Sequence, residues 1–265
     1  MDFRLTEEQE LIRASAREFT QKYLEPIAAE LDEESRYPAD VMAKLAEMDW
    51  LGIPYPTEYG GAGSDYLTFA IVIEEISRAC ASTGFTVSAT TGLVLTPIFQ
   101  YGNEEQKKKF MIPLCKGEKV GAFALTEPGA GTDPGSATTS AVLEGDEYVI
   151  NGTKTFVSNG PLADIFVVIA VTDKTKGARG MSAFVVPKEA GGITVGKHFK
   201  KMGLRASQTS EVFFKDCRIP KENLLGQEGQ GFRIAMQALD TGRIGIAAQA
   251  VGILQAALDE STSFA

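Results

Sequence analysis

The spacing of apolar residues changes near residue 119, and this change constrains the fold more than any other feature of the sequence. Before it, apolar side chains recur every three or four residues, which predicts helices with one buried stripe each. The clearest sets are Val41, Leu45 and Met48, and Phe69, Ile73, Ile76 and Cys80. Thr6, followed three residues later by Gln9, predicts the start of the first helix. We therefore expect an N-terminal helical bundle over residues 1–118.

Residues 119–225 are instead rich in short β-branched and aromatic runs separated by Gly, Asn and Asp, which is typical of strands. These runs are Tyr148–Ile150, Ile165–Ile169, Met181–Val186 and Glu211–Phe214. Because no amphipathic helix lies between them, parallel crossover units are disfavoured. The sequence predicts a middle domain built on an antiparallel sheet or barrel.

Helical spacing returns after Gly231, with Val251, Leu254 and Leu258 on one face. Residues 226–265 are thus predicted to form the first helix region of a C-terminal helical domain. No Gly or Pro terminator follows, and the stripe has no partner helix in the sequence, so we expect this domain to be incomplete at Ala265. The predicted fold class is α+β.

Composition excludes several kinds of partner. With 35 acidic and 26 basic residues, the net charge of −9 disfavours nucleic acid, and Lys107–Lys109 are interpreted as a solvated helix face. Cys80, Cys115 and Cys217 lack metal or disulfide spacing, and the single histidine, His198, has no second histidine to share a metal. With no secretory leader and no membrane-length apolar run, we predict a soluble cytoplasmic chain without a metal.

A glycine-rich turn follows a strand-like run over Ala122–Asp133. Glycines permit a positive φ and a close backbone approach, so successive N–H groups can form a nest for phosphate or polar ring edges. A dinucleotide-binding fold is disfavoured, because Asp133-Pro134 stands where a third glycine would open a helix. Composition alone leaves a plain β-turn without a ligand as the alternative.

The full run resembles the signature of the acyl-CoA dehydrogenase family, in which this strand and turn lie along bound FAD. The resemblance extends over nearly the whole chain, through Tyr59–Gly61, Ile150–Lys154, Lys201–Arg205 and Leu239–Arg243. It implies that one flavin-binding segment is Phe123, Ala124, Leu125, Thr126, Glu127, Pro128, Gly129, Ala130, Gly131 and Thr132, and that a second is Phe156, Val157 and Ser158.

The same resemblance implies individual roles. Leu125 and Thr126 meet the pyrimidine edge, while Gly131 and Thr132 approach the pyrophosphate, and Thr132 also borders the acyl-CoA.

Phe156 lies against the flavin ring and Ser158 supplies a hydroxyl near its reactive nitrogen, at positions where the family often has Trp and Thr. Both replacements keep an aromatic plane and a hydroxyl donor. Without the resemblance, Phe156 would be interpreted as an ordinary strand core residue.

Asp240, Thr241, Gly242 and Arg243 match the stretch that contacts CoA in the family, and a guanidinium suits a phosphorylated or carbonyl-rich ligand. The alternative is an Asp/Arg pair on one helical turn. The run Leu239–Ala248 resembles the short-chain, butyryl-CoA branch, which implies α,β-dehydrogenation in fatty acid β-oxidation by a homotetramer that passes electrons to an electron-transfer flavoprotein.

The catalytic base is missing from this pattern. In most of the family the glutamate lies in the C-terminal bundle, and in a minority it precedes the residue matching Arg243, where this chain has Gly242. Glu127 is interpreted as a structural carboxylate that anchors the turn. We therefore expect the base beyond Ala265, and we predict that this chain alone binds FAD weakly and is inactive. A non-catalytic flavin- or CoA-binding module and an acyl-CoA oxidase remain as alternatives.

Overall fold

The computed structural model describes residues 4–265. The first three residues, on which the prediction of no leader partly rests, lie outside this range. Helices come first, then a sheet, then one long helix, which confirms the predicted α+β class. No helix of the described range is long and apolar enough to cross a membrane.

The N-terminal unit is helical, and its first helix begins with the predicted capping box between Thr6 and Gln9. Leu45 is fully buried in the bundle core, whereas Met48 is 37% exposed. Its assignment to the buried stripe was wrong because the helix ends at Glu47 and the chain turns away. The helices are α1 (Glu7–Tyr23), α2 (Ala28–Glu33), α3 (Ala39–Glu47), α4 (Tyr66–Ala79), α5 (Ala81–Ala89), α6 (Thr96–Tyr101), α7 (Glu104–Gln106) and α8 (Ile112–Cys115), with π-helical turns at Thr90–Leu95 and Lys107–Met111.

The middle unit is one mixed sheet. Its strands are β1 (Gly121–Ala124), β2 (Ser140–Glu144), β3 (Glu147–Ser158), β4 (Ile165–Val171), β5 (Met181–Pro187), β6 (Ile193–Val195), β7 (Thr209–Pro220) and β8 (Leu224–Leu225). They lie in the order β6-β7-β3-β2-β4-β5-β8, with β1 paired to β4. Most pairs are antiparallel as predicted, but β1 and β2 each pair with β4 in parallel. The β2–β3 hairpin supplies the connection that a helix usually makes, so parallel pairing did not need an interleaved helix.

The last helix, α9 (Gly231–Phe264), starts at the predicted residue and packs on α4, α5 and β5. Close approach depends on glycine: a Cβ at Gly252 would lie 2.3 Å from the carbonyl oxygen of Glu74. The stripe of Val251, Leu254 and Leu258 is exposed. Helix α9 therefore joins the bundle to the sheet and keeps one apolar face uncovered.

Several sequence features have structural roles in the described range. The three cysteines are free and buried. Lys107 pairs with Glu104 and lies over the ring of Tyr59, while the hydroxyl of Tyr59 donates to Glu104 at 2.7 Å. A Cβ at Gly61 would lie 2.2 Å from the carbonyl oxygen of Tyr55. The Tyr59–Gly61 motif thus holds the bundle loop in place.

Candidate active site

The two predicted flavin segments line one cavity of about 150 Å³ at the junction of the sheet with the helices. The backbone N–H of Thr155 donates to the carbonyl oxygen of Thr126 at 2.8 Å, which joins the end of β3 to the segment that follows β1. Five of the predicted residues lie in the cavity wall: Phe123, Leu125, Thr126, Phe156 and Ser158. Segments about thirty residues apart in sequence therefore form a common surface.

Phe156 departs from ordinary strand geometry. Its φ is 55°, it lies in a register shift between Lys154 and Val157, and its side chain is 67% exposed. Its interpretation as a strand core residue is wrong, because the bulge turns the ring out of the sheet and into the cavity wall. A left-handed backbone at a large non-glycine residue is costly, and such conformations cluster at ligand sites.

The other predicted flavin residues do not line this cavity. Ala124 and Val157 are fully buried in the sheet core, and Ala130 is buried in the turn. Pro128, Gly129, Gly131 and Thr132 are exposed along the turn, next to the cavity-lining strand. Their contact with a ligand stays a prediction.

The glycines of the turn were expected to permit a positive φ, but neither Gly129 nor Gly131 adopts one. A tight turn forms instead, with reciprocal backbone hydrogen bonds between Glu127 and Ala130 at 3.1 and 3.0 Å. A Cβ added at Gly129 or Gly131 would meet nothing within 4 Å. The glycines therefore leave the backbone open to a close approach from outside.

Glu127 and Lys154 form a buried ion pair that joins the two segments. Their side chains are 5% and 0% exposed, and Lys154 Nζ donates to Glu127 Oε1 at 2.8 Å and to the carbonyl oxygen of Leu125 at 2.9 Å. Glu127 also accepts from the amides of Thr138 and Thr139 at 2.7 and 2.9 Å. With its oxygens committed to these donors, Glu127 anchors the turn, and the structure supports its interpretation as a structural carboxylate.

The pKa of Glu127 reflects these contacts. Burial alone would raise the pKa, but the charge of Lys154 and the hydrogen bonds from Lys154, Thr139 and Thr138 outweigh it and lower the pKa to about 2. Burial lowers the pKa of Lys154, partly offset by Glu127. Near neutral pH, Glu127 is ionised and paired with its lysine.

Acid should therefore weaken the fold through Glu127. A carboxylate whose pKa drops from about 4.5 in the unfolded chain to about 2 in the fold stabilises the fold fully above pH 4.5. That contribution is lost as the pH falls through this window. We expect the stability difference between the wild type and Glu127→Gln, measured by urea unfolding from pH 6 to pH 2.5, to shrink as the pH falls. A difference that stays constant would contradict the assignment.

A second cavity adjoins the first and shares Ala89, Leu93 and Leu239 with it. Gly242 and Arg243 lie in its wall, and their contact with CoA stays a prediction. Asp240 and Thr241 do not line it. Arg243 also pairs with Asp240 on one helical turn, so the alternative interpretation describes a real contact, although both side chains are mostly exposed.

The sequence interpretation missed the helical wall of the cavities. Ala89, Leu93 and Val94 come from the end of α5 and the π-helical turn. The remaining missed residues of the first cavity are Gly121, Ala122, Thr155, Asn159 and Leu239. π-Helical turns often mark functional sites, but a single sequence carries no clear signal for one.

Asn159 is informative because it is 1% exposed and lines the first cavity. Its Nδ2 donates to the carbonyl oxygen of Gly121 at 3.2 Å, while its Oδ1 has no hydrogen-bond partner in the described range. A buried acceptor without a partner is costly. Together with the exposed ring of Phe156 and the open space at Gly129 and Gly131, it fits a polar, ring-shaped cofactor such as FAD.

The walls of both cavities contain no Asp, Glu or His within residues 4–265. The described residues likewise hold no cluster of His, Cys, Asp and Glu suited to a metal. His198 is exposed on the loop before β7. A group that removes a proton from a ligand in these cavities is therefore not supplied by the described residues that line them.

Comparison with known proteins identifies the family. Three family models match: the N-terminal domain of acyl-CoA dehydrogenase over residues 6–118, the middle domain over 122–217 and the C-terminal domain over 229–265. The short-chain-specific acyl-CoA dehydrogenase of Clostridium acetobutylicum is 52% identical over 264 residues, which is 100% of this chain and 70% of that protein. The mitochondrial short-chain-specific acyl-CoA dehydrogenase of Rattus norvegicus is 49% identical, and the match covers 98% of this chain and 63% of the rat protein.

The fold agrees with this result. A solved structure from a study of the electron transferring flavoprotein of Acidaminococcus fermentans contains a chain that matches with a TM-score of 0.97 and 48% identity, covering 99% of this chain and 69% of that one. The chain belongs to the acyl-CoA dehydrogenase family of FAD-dependent oxidoreductases. It spans about two thirds of the length of these relatives.

Proposed function

We propose that this chain forms the flavin and acyl-CoA site of an enzyme that dehydrogenates short-chain acyl-CoA thioesters, such as butyryl-CoA, at the α,β bond. The observation that carries the proposal is the convergence of Thr126, Phe156 and Ser158 on one cavity that continues into a second at Gly242 and Arg243. The short-chain specificity of the two curated relatives supports the acyl length.

Each residue has a part that follows from its position. Phe156 presents an exposed ring for stacking, and Ser158 a hydroxyl that can donate to a ring nitrogen. Leu125 and Thr126 supply the segment along the pyrimidine edge. Gly131 and Thr132 supply backbone for the pyrophosphate, and the space beside Gly131 is open. FAD, when bound, accepts the hydride from the β-carbon. Arg243 and its helical turn are proposed to contact the CoA.

The base that removes the α-proton is proposed to lie in sequence beyond Ala265, because the cavity walls offer no carboxylate within the described range. Residues 1–265 alone should therefore show no turnover of butyryl-CoA with an artificial electron acceptor. A form extended to the length of the relatives should be active. Normal turnover by the 265-residue chain would overturn this assignment of the base.

The exposed ring and strained backbone of Phe156 give a direct test of the flavin site. Both Phe156→Gly and Phe156→Ala should weaken FAD binding in an equilibrium fluorescence titration, since both remove the stacking ring. Glycine adopts a φ of 55° without strain, whereas alanine does not. The free energy of unfolding of Phe156→Gly should therefore be about 1 kcal/mol higher than that of Phe156→Ala.

The control for this test is Phe264→Ala, which removes a 96% exposed ring far along α9 from the cavity. It should leave FAD affinity unchanged. Unchanged FAD binding in both Phe156 variants would overturn the stacking role, whereas equal stability of the two would overturn only the strain.

The remaining features belong to the same proposal. Electrons are proposed to pass to an electron-transfer flavoprotein, which the matched chain from the Acidaminococcus study supports. A homotetramer in the cytoplasm is proposed for the full-length protein. A non-catalytic module would bind FAD yet stay inactive even when extended, and an oxidase would consume oxygen with butyryl-CoA, so an oxygen electrode beside the acceptor assay separates the three.

A further inference from the structure

The side chain of Phe156 is largely exposed, so its ring needs a neighbouring contact to keep the orientation in which it can stack. Among the described residues, one ring lies against it: Phe199, with ring centroids 5.5 Å apart and planes at 67°. This edge-to-face geometry is the favoured arrangement of two aromatic rings. Phe199 lies outside both cavities and belongs to the loop between β6 and β7.

The backbone of Phe199 is fixed to β7, the strand that pairs with β3, and β3 carries the cavity hydroxyl of Ser158. The N–H of Phe199 donates to the carbonyl oxygen of Thr209 at 2.8 Å. Thr209 on β7 is the register partner of Ser158 on β3, and Ser158 follows Phe156 by two residues. A displacement of Phe199 would therefore be felt at the same rung of the sheet that positions Ser158.

The rest of this loop is also tied down. Lys201 Nζ donates to the carbonyl oxygens of Leu204 and Ser207, which closes the loop on itself. The backbone N–H of Arg205 donates to Asp32 Oδ1 at 3.0 Å, which fixes the loop to the end of α2. The loop that carries Phe199 is thus held to the fold by several hydrogen bonds.

We propose that Phe199 is a positioning residue that holds the ring of Phe156 in the orientation required to stack on the flavin. This inference rests on the proposed function, because it assumes that the cavity binds FAD. Its contribution should equal that of one edge-to-face aromatic pair, which corresponds to a change in FAD affinity of about threefold to tenfold. The effect should act through Phe156 and disappear when that ring is absent.

The test is equilibrium titration of the chain with FAD, combined with the visible circular dichroism of the bound flavin. Phe199→Ala and Phe199→Leu should weaken FAD binding by about threefold to tenfold and alter the flavin dichroism. Phe199→Tyr keeps the ring edge and should bind like the wild type. In a Phe156→Ala background, Phe199→Ala should have no further effect. Urea unfolding of each variant checks that the fold is intact.

The outcomes separate the two levels of the proposal. A wild-type chain that gives no saturable FAD binding would overturn both the flavin site and the role of Phe199. Wild-type binding with unchanged affinity and dichroism in Phe199→Ala would overturn only the positioning role. Equal losses from Phe199→Ala in the presence and absence of the Phe156 ring would also overturn it, since they would indicate a general effect on the sheet.

Discussion

Replacing Lys154 by methionine is expected to lower the free energy of unfolding by about 3–5 kcal/mol, the usual cost of leaving one partner of a buried ion pair alone. Lys154 is fully buried and holds both Glu127 and the carbonyl oxygen of Leu125. Methionine fills a similar volume, so the loss reports the missing charge and donors. Urea unfolding followed by circular dichroism measures it.

Two variants interpret the result. Lys154→Met combined with Glu127→Gln removes the uncompensated charge and should recover part of the loss, which shows that the two residues are coupled. Lys221→Met breaks an exposed ion pair with Asp146 and should change stability little, because solvent already screens that pair. Equal effects of Lys154→Met and Lys221→Met would contradict the buried pair.

The loss should extend to the cavity. Lys154 lies two residues before Phe156, at the bulge of β3, and its side chain donates to the carbonyl oxygen of Leu125 in the other flavin segment. Removing it loosens the junction of both flavin segments, so FAD affinity should fall together with stability. The pair therefore connects the stability of the middle domain to the geometry of the proposed site.

The sequence predicted the order of elements well because burial follows simple periods. The capping box at Thr6, the start of α9 at Gly231 and the strands around Ile165 and Met181 all lie where spacing placed them. The exposure of Met48 and the parallel pairing of β4 were not predicted. Where a helix ends and which strands become neighbours depend on tertiary packing, which a local period does not encode.

The candidate site was predicted only through resemblance to a family. Local pattern alone assigned Phe156 to the core, since an alternating strand gives no sign of a bulge or a positive φ. The helical wall at Leu93 was missed because its π-helical turn has ordinary composition. The burial of Lys154 was not predicted either, although the residue belongs to a matched motif, because only the fold shows that its charge lies beside Glu127.

Gly231→Ala is the second substitution with a large expected effect, since it blocks the contact that starts α9. A Cβ at this position would lie 2.5–2.6 Å from three backbone atoms of Ser182 on β5, and backbone cannot move aside as a side chain can. We expect a loss of about 3 kcal/mol in unfolding free energy, at the upper end for an overpacked core. Leu239, which lines both cavities, would shift with the helix, so FAD binding should weaken too.

Gly129→Ala is the matched control, because the same added methyl group would meet nothing within 4 Å. It should change stability by no more than about 0.5 kcal/mol, as other exposed substitutions do. If the turn approaches a ligand, FAD binding should nevertheless weaken, whereas a plain β-turn would leave it unchanged. The two alanines thus separate a glycine needed for packing within the fold from one that keeps the backbone open to FAD. Wild-type stability in Gly231→Ala would contradict the tight docking of α9 on β5.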